Sequence, residues 1–351
     1  MRNRIIKIFS LFFILLTALT LSGCDANYVE YDIHTSLQNN FLSDDYKMIS
    51  LYADGSKELS KPNAITISWN NENVSGYDFY LSENKSFNEY RIYKVETNQV
   101  ELVNLKINTV YYWYIEYLVD NVTVKSDVEC FKTRSVTPRN LDIEGVTNAR
   151  DLGGYKIGKS SYSNQGLIYR TARFNESDGT VSISEKGIKE MVEVLKIKTE
   201  LDVRKTSDGE NGGITSSVLG DSVKYCSVPM KSGGNYLLLN KMVLKDVFAV
   251  FGNEDNYPIV IHCSIGTDRT GVICFLINAL LGVSEEDLYK DYLFSMFGEI
   301  NNVRNASTID DYINKVSAAE GDTLKEKTYN YLVDLGVSES DLNNLIRIMT
   351  K

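Results

Sequence analysis

Residues 262–271 read His262-Cys263-Ser264-Ile265-Gly266-Thr267-Asp268-Arg269-Thr270-Gly271, so a cysteine and an arginine bracket five residues. The apolar run Ile259-Val260-Ile261 leads in as a strand, and an apolar stretch from about Thr270 to Leu281 follows as a helix. A strand that turns into a helix through so short a loop aims its backbone N–H groups at one point. Those groups and the helix dipole make a seat for an anion. Gly266 permits a turn that a Cβ would obstruct. The seat lies at the C-terminal end of a strand, where open α/β sheets place their ligands.

A cysteine beside an anion seat implies nucleophilic chemistry. A thiol with its free pKa of roughly 8.5 is mostly protonated at neutral pH, and the attacking species is the thiolate. The N–H groups that hold a phosphate dianion also stabilise the thiolate. Cys263 is therefore the candidate nucleophile, and Ser264, Ile265, Gly266 and Thr267 form the candidate phosphate-binding loop. Arg269 can grip two equatorial oxygens bidentately, which lysine cannot do in the same way. The grip strengthens as charge builds on those oxygens. Thr270 can donate its hydroxyl to Cys263 and help the thiolate leave. His262, one of two histidines in the chain, is placed to orient the loop through a backbone hydrogen bond. The pattern implies hydrolysis of a phosphate monoester through a phosphocysteine. The bland alternative is a buried cysteine that happens to precede an arginine. Cys-x5-Arg alone carries little, but His-Cys-x-x-Gly-x-x-Arg-Thr-Gly between a strand and a helix is far more specific. A sulfurtransferase loop is a further alternative, and the Arg-Thr-Gly ending fits phosphate better.

This segment resembles the signature of the cysteine-dependent tyrosine and dual-specificity phosphatases. It is most similar to the bacterial tyrosine phosphatase branch with an aspartate next to the loop arginine. Three further segments support that branch: Asn148-Ala149-Arg150-Asp151-Leu152-Gly153-Gly154-Tyr155, Tyr169-Arg170-Thr171-Ala172-Arg173 and Leu201-Asp202-Val203-Arg204. The resemblance covers about residues 140–351 and implies a protein phosphatase without a cofactor or metal. Members of the branch often carry lysine where this chain has Thr267. That departure favours a phosphotyrosine protein or simple phosphomonoester as substrate over a phosphoinositide or other non-protein polyanion.

Cysteine attack needs a proton donor for the leaving oxygen. The resemblance gives this role to Asp268. The rival is Asp208, in the Gly-rich stretch Thr206-Ser207-Asp208-Gly209-Glu210-Asn211-Gly212-Gly213, which reads either as a mobile lid or as a plain turn. Asp151, Arg150 and Arg170 are expected either to brace the site as a salt-bridge network under the loop or to touch substrate.

The chain has 351 residues, enough for two domains. Arg2, Arg4 and Lys7 precede an apolar stretch from Ile8 to Leu21, which is short for a membrane span and flanked like a secretory signal. The stretch ends in Leu21-Ser22-Gly23-Cys24, which resembles a bacterial lipobox. That implies a leader over residues 1–23, a lipidated Cys24, and a mature protein anchored to the outer face of the cytoplasmic membrane. The plain alternatives are an ordinary signal peptide cut nearby or an uncleaved anchor. Of five cysteines, Cys130, Cys226 and Cys274 remain, with no spacing like that of a disulfide framework or a zinc site. Cys274 reads as core and Cys226 as a strand residue.

Residues 24–60 are expected to be a polar tether and the start of a first strand. Short strands divided by Asn, Ser, Gly and Asp clusters then run from about 61 to 135, the pattern of an all-β sandwich. The segment Leu105 to Trp113 resembles the tyrosine corner of fibronectin type III domains, with Tyr111 as the corner residue. Trp69 is expected to be the buried tryptophan and Cys130 to Thr133 the last strand. Such a module is either a spacer or a binder of an unknown surface ligand. Ser135 to Asn140 reads as a linker, and 136–351 as the phosphatase domain, starting with a β segment near Leu141 to Val146.

In that second half, Ser184 caps a helix from Glu185 to about Lys196, and Thr199 to Val203 is a buried strand. Gly282 ends the helix after the loop, and Ser284 caps the next. Helices at Leu324 to Leu335 and Leu342 to Met349 complete an α/β domain with a central, mainly parallel sheet flanked by helices. The net charge of −10 argues against nucleic acid as a partner. There is no metal-ligand cluster, internal repeat or dinucleotide fingerprint in the sequence.

Overall fold

The computed structural model describes residues 28–43, 46–70, 72, 74–207 and 209–350. The expected leader, the lipidated Cys24 and the rival acid Asp208 lie outside them.

Alternation of apolar residues builds the first unit. Its strands are β1 (Val29–Tyr31), β2 (Ile65–Ser68), β3 (Tyr77–Ser82), β4 (Arg91–Val95), β5 (Gln99–Leu102), β6 (Val110–Val119), β7 (Val122–Lys125) and β8 (Glu129–Thr133). One sheet runs β1-β8-β6-β3-β4 with β7 on the end of β6, and β2 pairs β5 in a second sheet. Inward residues from both, among them Ile65, Ile67, Phe79, Val100, Tyr111 and Phe131, share one core. The Tyr111 hydroxyl accepts a 2.7 Å hydrogen bond from the Lys106 N–H, which ties the strand back to its own lead-in loop. Trp69 is only half-buried, stacked on Phe79, and Trp113 is the deeply buried tryptophan. Trp69 follows the last residue of β2, whereas Trp113 sits mid-strand on the inward face.

The second unit has a sheet of β9 (Arg150–Asp151), β10 (Ile168–Thr171), β11 (Thr199–Asp202), β12 (Lys224–Ser227) and β13 (Ile259–His262), in the order β12-β11-β13-β10-β9. All pairs are parallel except β10 with β9. Among the described residues the α-helices are α1 (Ser36–Ser43), α2 (Glu185–Lys189), α3 (Tyr236–Asn240), α4 (Leu244–Gly252), α5 (Arg269–Leu281), α6 (Glu285–Leu293), α7 (Ser307–Val316), α8 (Leu324–Asp334) and α9 (Glu339–Thr350). Every residue of α5 is buried, as its largely apolar run requires, and Gly282 caps it at φ 85°. Ser184 and Ser284 cap α2 and α6 through their side chains. The expected helix to Lys196 becomes a π-helical turn after Lys189, from Glu190 to Val194. Among the described residues, no helix is long and apolar enough to cross a membrane.

Three expectations are corrected. The 24–60 stretch is not a tether past Val29–Tyr31. It forms α1 and a 3-10 turn (Tyr46–Leu51), which bury Phe41, Leu42 and Ile49 in the core of the second unit. Phe41 packs edge-on against Phe297 at 5.5 Å. Buried Gln38 satisfies its amide on the Leu59 and Lys61 carbonyls, so a polar composition hid an apolar face. Residues 135–140 are not a loose linker either. Arg139 is buried and donates to the Leu105 and Asn104 carbonyls and to Asp151, joining the sandwich to the second unit. Finally, Leu141 to Val146 is not a strand. Leu141, Ile143 and Val146 are buried in a loop that turns at Glu144-Gly145.

Candidate active site

β13 delivers His262 and Cys263 to the C-terminal edge of the sheet, and α5 starts at Arg269. Between them the chain closes on itself. Gly266 has φ +69°, and a Cβ there would lie 2.4 Å from the Thr171 carbonyl oxygen. Gly266→Ala is expected to cost on the order of 2 kcal/mol or more. Denaturant unfolding checks this; unchanged stability would show that the loop relaxes freely.

Three motif residues hold the loop from outside. Asn148 Nδ2 donates to the Ile265 carbonyl (2.9 Å), Arg170 Nη2 to the Gly266 carbonyl (2.8 Å) and Arg173 Nη1 to the Ser264 carbonyl (3.0 Å). The Thr267 hydroxyl turns inward to the Ile265 carbonyl (3.3 Å). Arg170 also meets the Asp291 carboxylate at 2.5 Å, and Arg150 meets it at 3.0 Å. Arg150 and Arg170 are therefore braces under the loop. Burial alone would push the Asp291 carboxyl up, but the two guanidinium groups outweigh it and hold it below the usual carboxylate range. Asp151 faces away from the loop. It accepts from Arg139 (2.7 Å) and from the Gly153 and Gly166 N–H groups, so it fixes the junction with the sandwich.

Cys263 is 1% exposed, at the base of the loop. The Arg269 guanidinium does not wait empty-handed. It holds both oxygens of Glu210, with Nη1 to Oε2 at 2.8 Å, and the Ser264 hydroxyl donates to the same carboxylate at 2.5 Å. Burial raises the Glu210 carboxyl, but these hydrogen bonds carry it down to about 2. Glu210 is thus an ionised carboxylate in the grip of Arg269. Its stretch was visible in the sequence, but Asp208, not Glu210, stood out there.

His262 bonds as expected only in part. Its Nδ1 lies 3.4 Å from the Cys263 carbonyl, and its Nε2 lies 2.9 Å from the buried Glu200. Glu200 was missed, although a carboxylate inside an apolar buried strand must have a partner. Glu200, Asp202 and His262 form a buried group with metal-like donors that the sequence did not show. Each already has protein partners: Ser217 on Glu200, Arg204 and Tyr225 on Asp202. Cys226 and Cys274 are free thiols, Cys274 deep in α5. The Thr270 hydroxyl, in the first turn of α5, is buried without a hydrogen-bond partner.

Asp268 is 8% exposed and lines a cavity of about 390 Å³. Arg304, which the sequence did not single out, grips it bidentately at 2.7 Å through Nε and Nη2. Tyr292 donates to it at 3.4 Å. Arg304 comes from the irregular chain between Gly298 and α7, where no periodic pattern marks it.

Residues 141–350 match the family described as the tyrosine phosphatase family. A Cupriavidus necator protein, provisionally named a tyrosine-protein phosphatase, is 24% identical over 192 residues. That match covers 48% of this chain and 64% of the relative's length. Among solved structures, the core catalytic domain of the S. cerevisiae PP-IP phosphatase Siw14 is similar at 20% identity, covering 44% of this chain and 90% of that one, with a TM-score of 0.29. A human fibronectin type III domain matches at 18% identity, covering 27% of this chain and 87% of its own, with a TM-score of 0.19. The family match spans well over half of the sequence, and this chain belongs to the tyrosine phosphatase family.

Proposed function

We propose that the chain is a cysteine-dependent phosphomonoesterase that acts on phosphotyrosine in proteins. We place it outside the cytoplasmic membrane, held by a lipid on Cys24. One observation carries the hydrolase reading: Cys263 and Arg269 stand at the two ends of one loop, and the arginine already grips an oxyanion bidentately. A phosphate that meets Arg269 and the loop N–H groups presents its phosphorus to Cys263. The sulfur–phosphorus bond forms as the bond to the leaving oxygen breaks, and Asp268 gives that oxygen a proton. Water then attacks phosphorus, Asp268 takes its proton, and the thiolate leaves with the Thr270 hydroxyl as hydrogen-bond donor. Glu210 braces Arg269 or yields its place to the phosphate.

To reach the leaving oxygen, Asp268 must let go of Arg304, which holds both its oxygens. Asp268→Asn is expected to lower kcat on a phosphotyrosine peptide by ~10²–10⁴-fold. The loss in kcat/KM, which leaves out the shared hydrolysis of the phosphocysteine, should be far smaller on p-nitrophenyl phosphate, whose leaving group needs no proton. Equal losses on both substrates would remove Asp268 from this role.

The reading is tested with the full chain in neutral detergent, without metal and with reductant. Rates are compared on a phosphotyrosine peptide, a phosphoserine peptide and a phosphoinositide. Fastest turnover of phosphotyrosine supports the proposal. Fastest turnover of the lipid selects the non-protein alternative, for which Arg304 would supply a cation that Thr267 does not. No turnover of any of them would leave a surface-binding protein.

A further inference from the structure

The mouth of the site is electrically two-sided. On the α7 side, the cavity beside Asp268 is lined by Asp268, Asp311 and Arg304 among polar neighbours. On the other side, a cleft of about 510 Å³ is lined by Lys205, Ser207, Met230, Lys231, Ser232 and Leu239. No carboxylate lines that cleft among the described residues, in a chain whose net charge is −10.

Both walls of the cleft are tied to the catalytic loop. The Met230 carbonyl accepts from Arg269 Nη1 (3.5 Å), and the Lys205 N–H donates to Glu210 (3.2 Å), the carboxylate that Arg269 holds. Lys231 is exposed, but its backbone is fixed. Buried Asn240 accepts from the Lys231 N–H (2.7 Å) and donates to its carbonyl (3.1 Å). Apolar surface borders the same side, with Leu238 at 46%, Leu239 at 42% and Met242 at 70% exposure on α3 and the turn after it. The cleft therefore offers the Lys231 cation, hydroxyl donors and an apolar wall, within reach of whatever is attached to the bound phosphate.

We propose that the cleft between Lys205 and Lys231 is a subsite for acidic residues next to the phosphorylated residue of a protein substrate. The proposal rests on the phosphotyrosine reading and adds a sequence preference to it. An aspartate or glutamate beside the phosphotyrosine meets Lys231 and the Ser207 and Ser232 hydroxyls, while an apolar neighbour covers Leu239. A second copy of this chain fits the cleft poorly, because its own lysines would face these.

The test measures kcat/KM of the full chain on matched phosphotyrosine peptides whose flanking residues are acidic, neutral or basic. Acidic residues are placed before the phosphotyrosine in one set and after it in another. Wild type should favour the acidic peptide over the neutral one by about fivefold or more in one set. Lys231→Gln should bring the ratio near one, and Lys231→Glu should turn the preference towards the basic peptide. Circular dichroism confirms that each variant is folded. A wild-type ratio near one, or a preference untouched in Lys231→Glu, overturns the subsite. So does a Lys231-dependent preference for a phosphoinositide over all the peptides. Turnover of p-nitrophenyl phosphate separates the two proposals. If it persists while no peptide is cleaved, the subsite falls and the hydrolase stands; if it too is absent, both fall.

Discussion

Cys263→Ser is expected to lower kcat on every phosphomonoester by at least about 10⁴-fold and to leave oxyanion binding in place. The two side chains differ by one atom, so the loop braces from Asn148, Arg170 and Arg173 remain. A serine hydroxyl is not ionised near neutral pH, so it is a far weaker nucleophile than the thiolate. Arg269 and the loop N–H groups still bind phosphate or vanadate. Calorimetric titration with either ion should give a dissociation constant within a few-fold of wild type. Undiminished turnover would mean that Cys263 is not the nucleophile. Lost binding together with lost turnover would mean that the serine disturbed the loop, and the variant would then say nothing of the chemistry.

Asp291→Asn should be the most destabilising single change near the site. The carboxylate is fully buried and is shared by Arg150 and Arg170, with Tyr155 donating to it at 3.2 Å. The amide leaves two buried guanidinium charges without a counter-charge, a loss of about 3–5 kcal/mol. Because Arg170 also holds the Gly266 carbonyl, activity should fall with stability. The pH dependence carries a second signature. Asp291 is held below the usual carboxylate range, so its contribution is fully present above the unfolded value near ~3.9 and is lost as pH falls through the folded one. Thermal melting from pH 7 to pH 3 should show a steep acid limb in wild type that is shallower in the variant. Parallel curves for the two proteins would remove Asp291 from acid sensitivity.

What was legible in the sequence was local. The strand, loop and helix around Cys263 are contiguous, so spacing alone fixed their order and the need for Gly266. Caps at Ser184 and Ser284 were visible for the same reason. What was not legible arrives from elsewhere in the chain. Arg304 sits 36 positions from Asp268, in a segment without periodicity, and brings a cation near the loop that Thr267 alone did not promise. Glu200 looked like an ordinary strand residue, because only the fold places it under His262. Glu210 stood two residues from an aspartate with a more familiar role. The polar helix α1 hid its function, since Gln38 and Asn140 bury their amides on carbonyls and on each other. Composition cannot distinguish that from a solvated tether.

The placement of α1 has a consequence for how such a chain is made. Phe41, Leu42, Ile49 and Ala53 pack with the C-terminal half, and most of the sandwich lies between the two in sequence. The Glu299 N–H donates to Glu58 across 241 positions, and Phe41 waits for Phe297. A chain that emerges amino end first exposes the apolar face of α1 long before its partners exist. The sandwich can close on short-range pairs, but the larger core must then recapture a segment from the other side of it. Such long-range closure slows folding. The order of synthesis thus leaves α1 waiting for a seat that only the far end of the chain can complete.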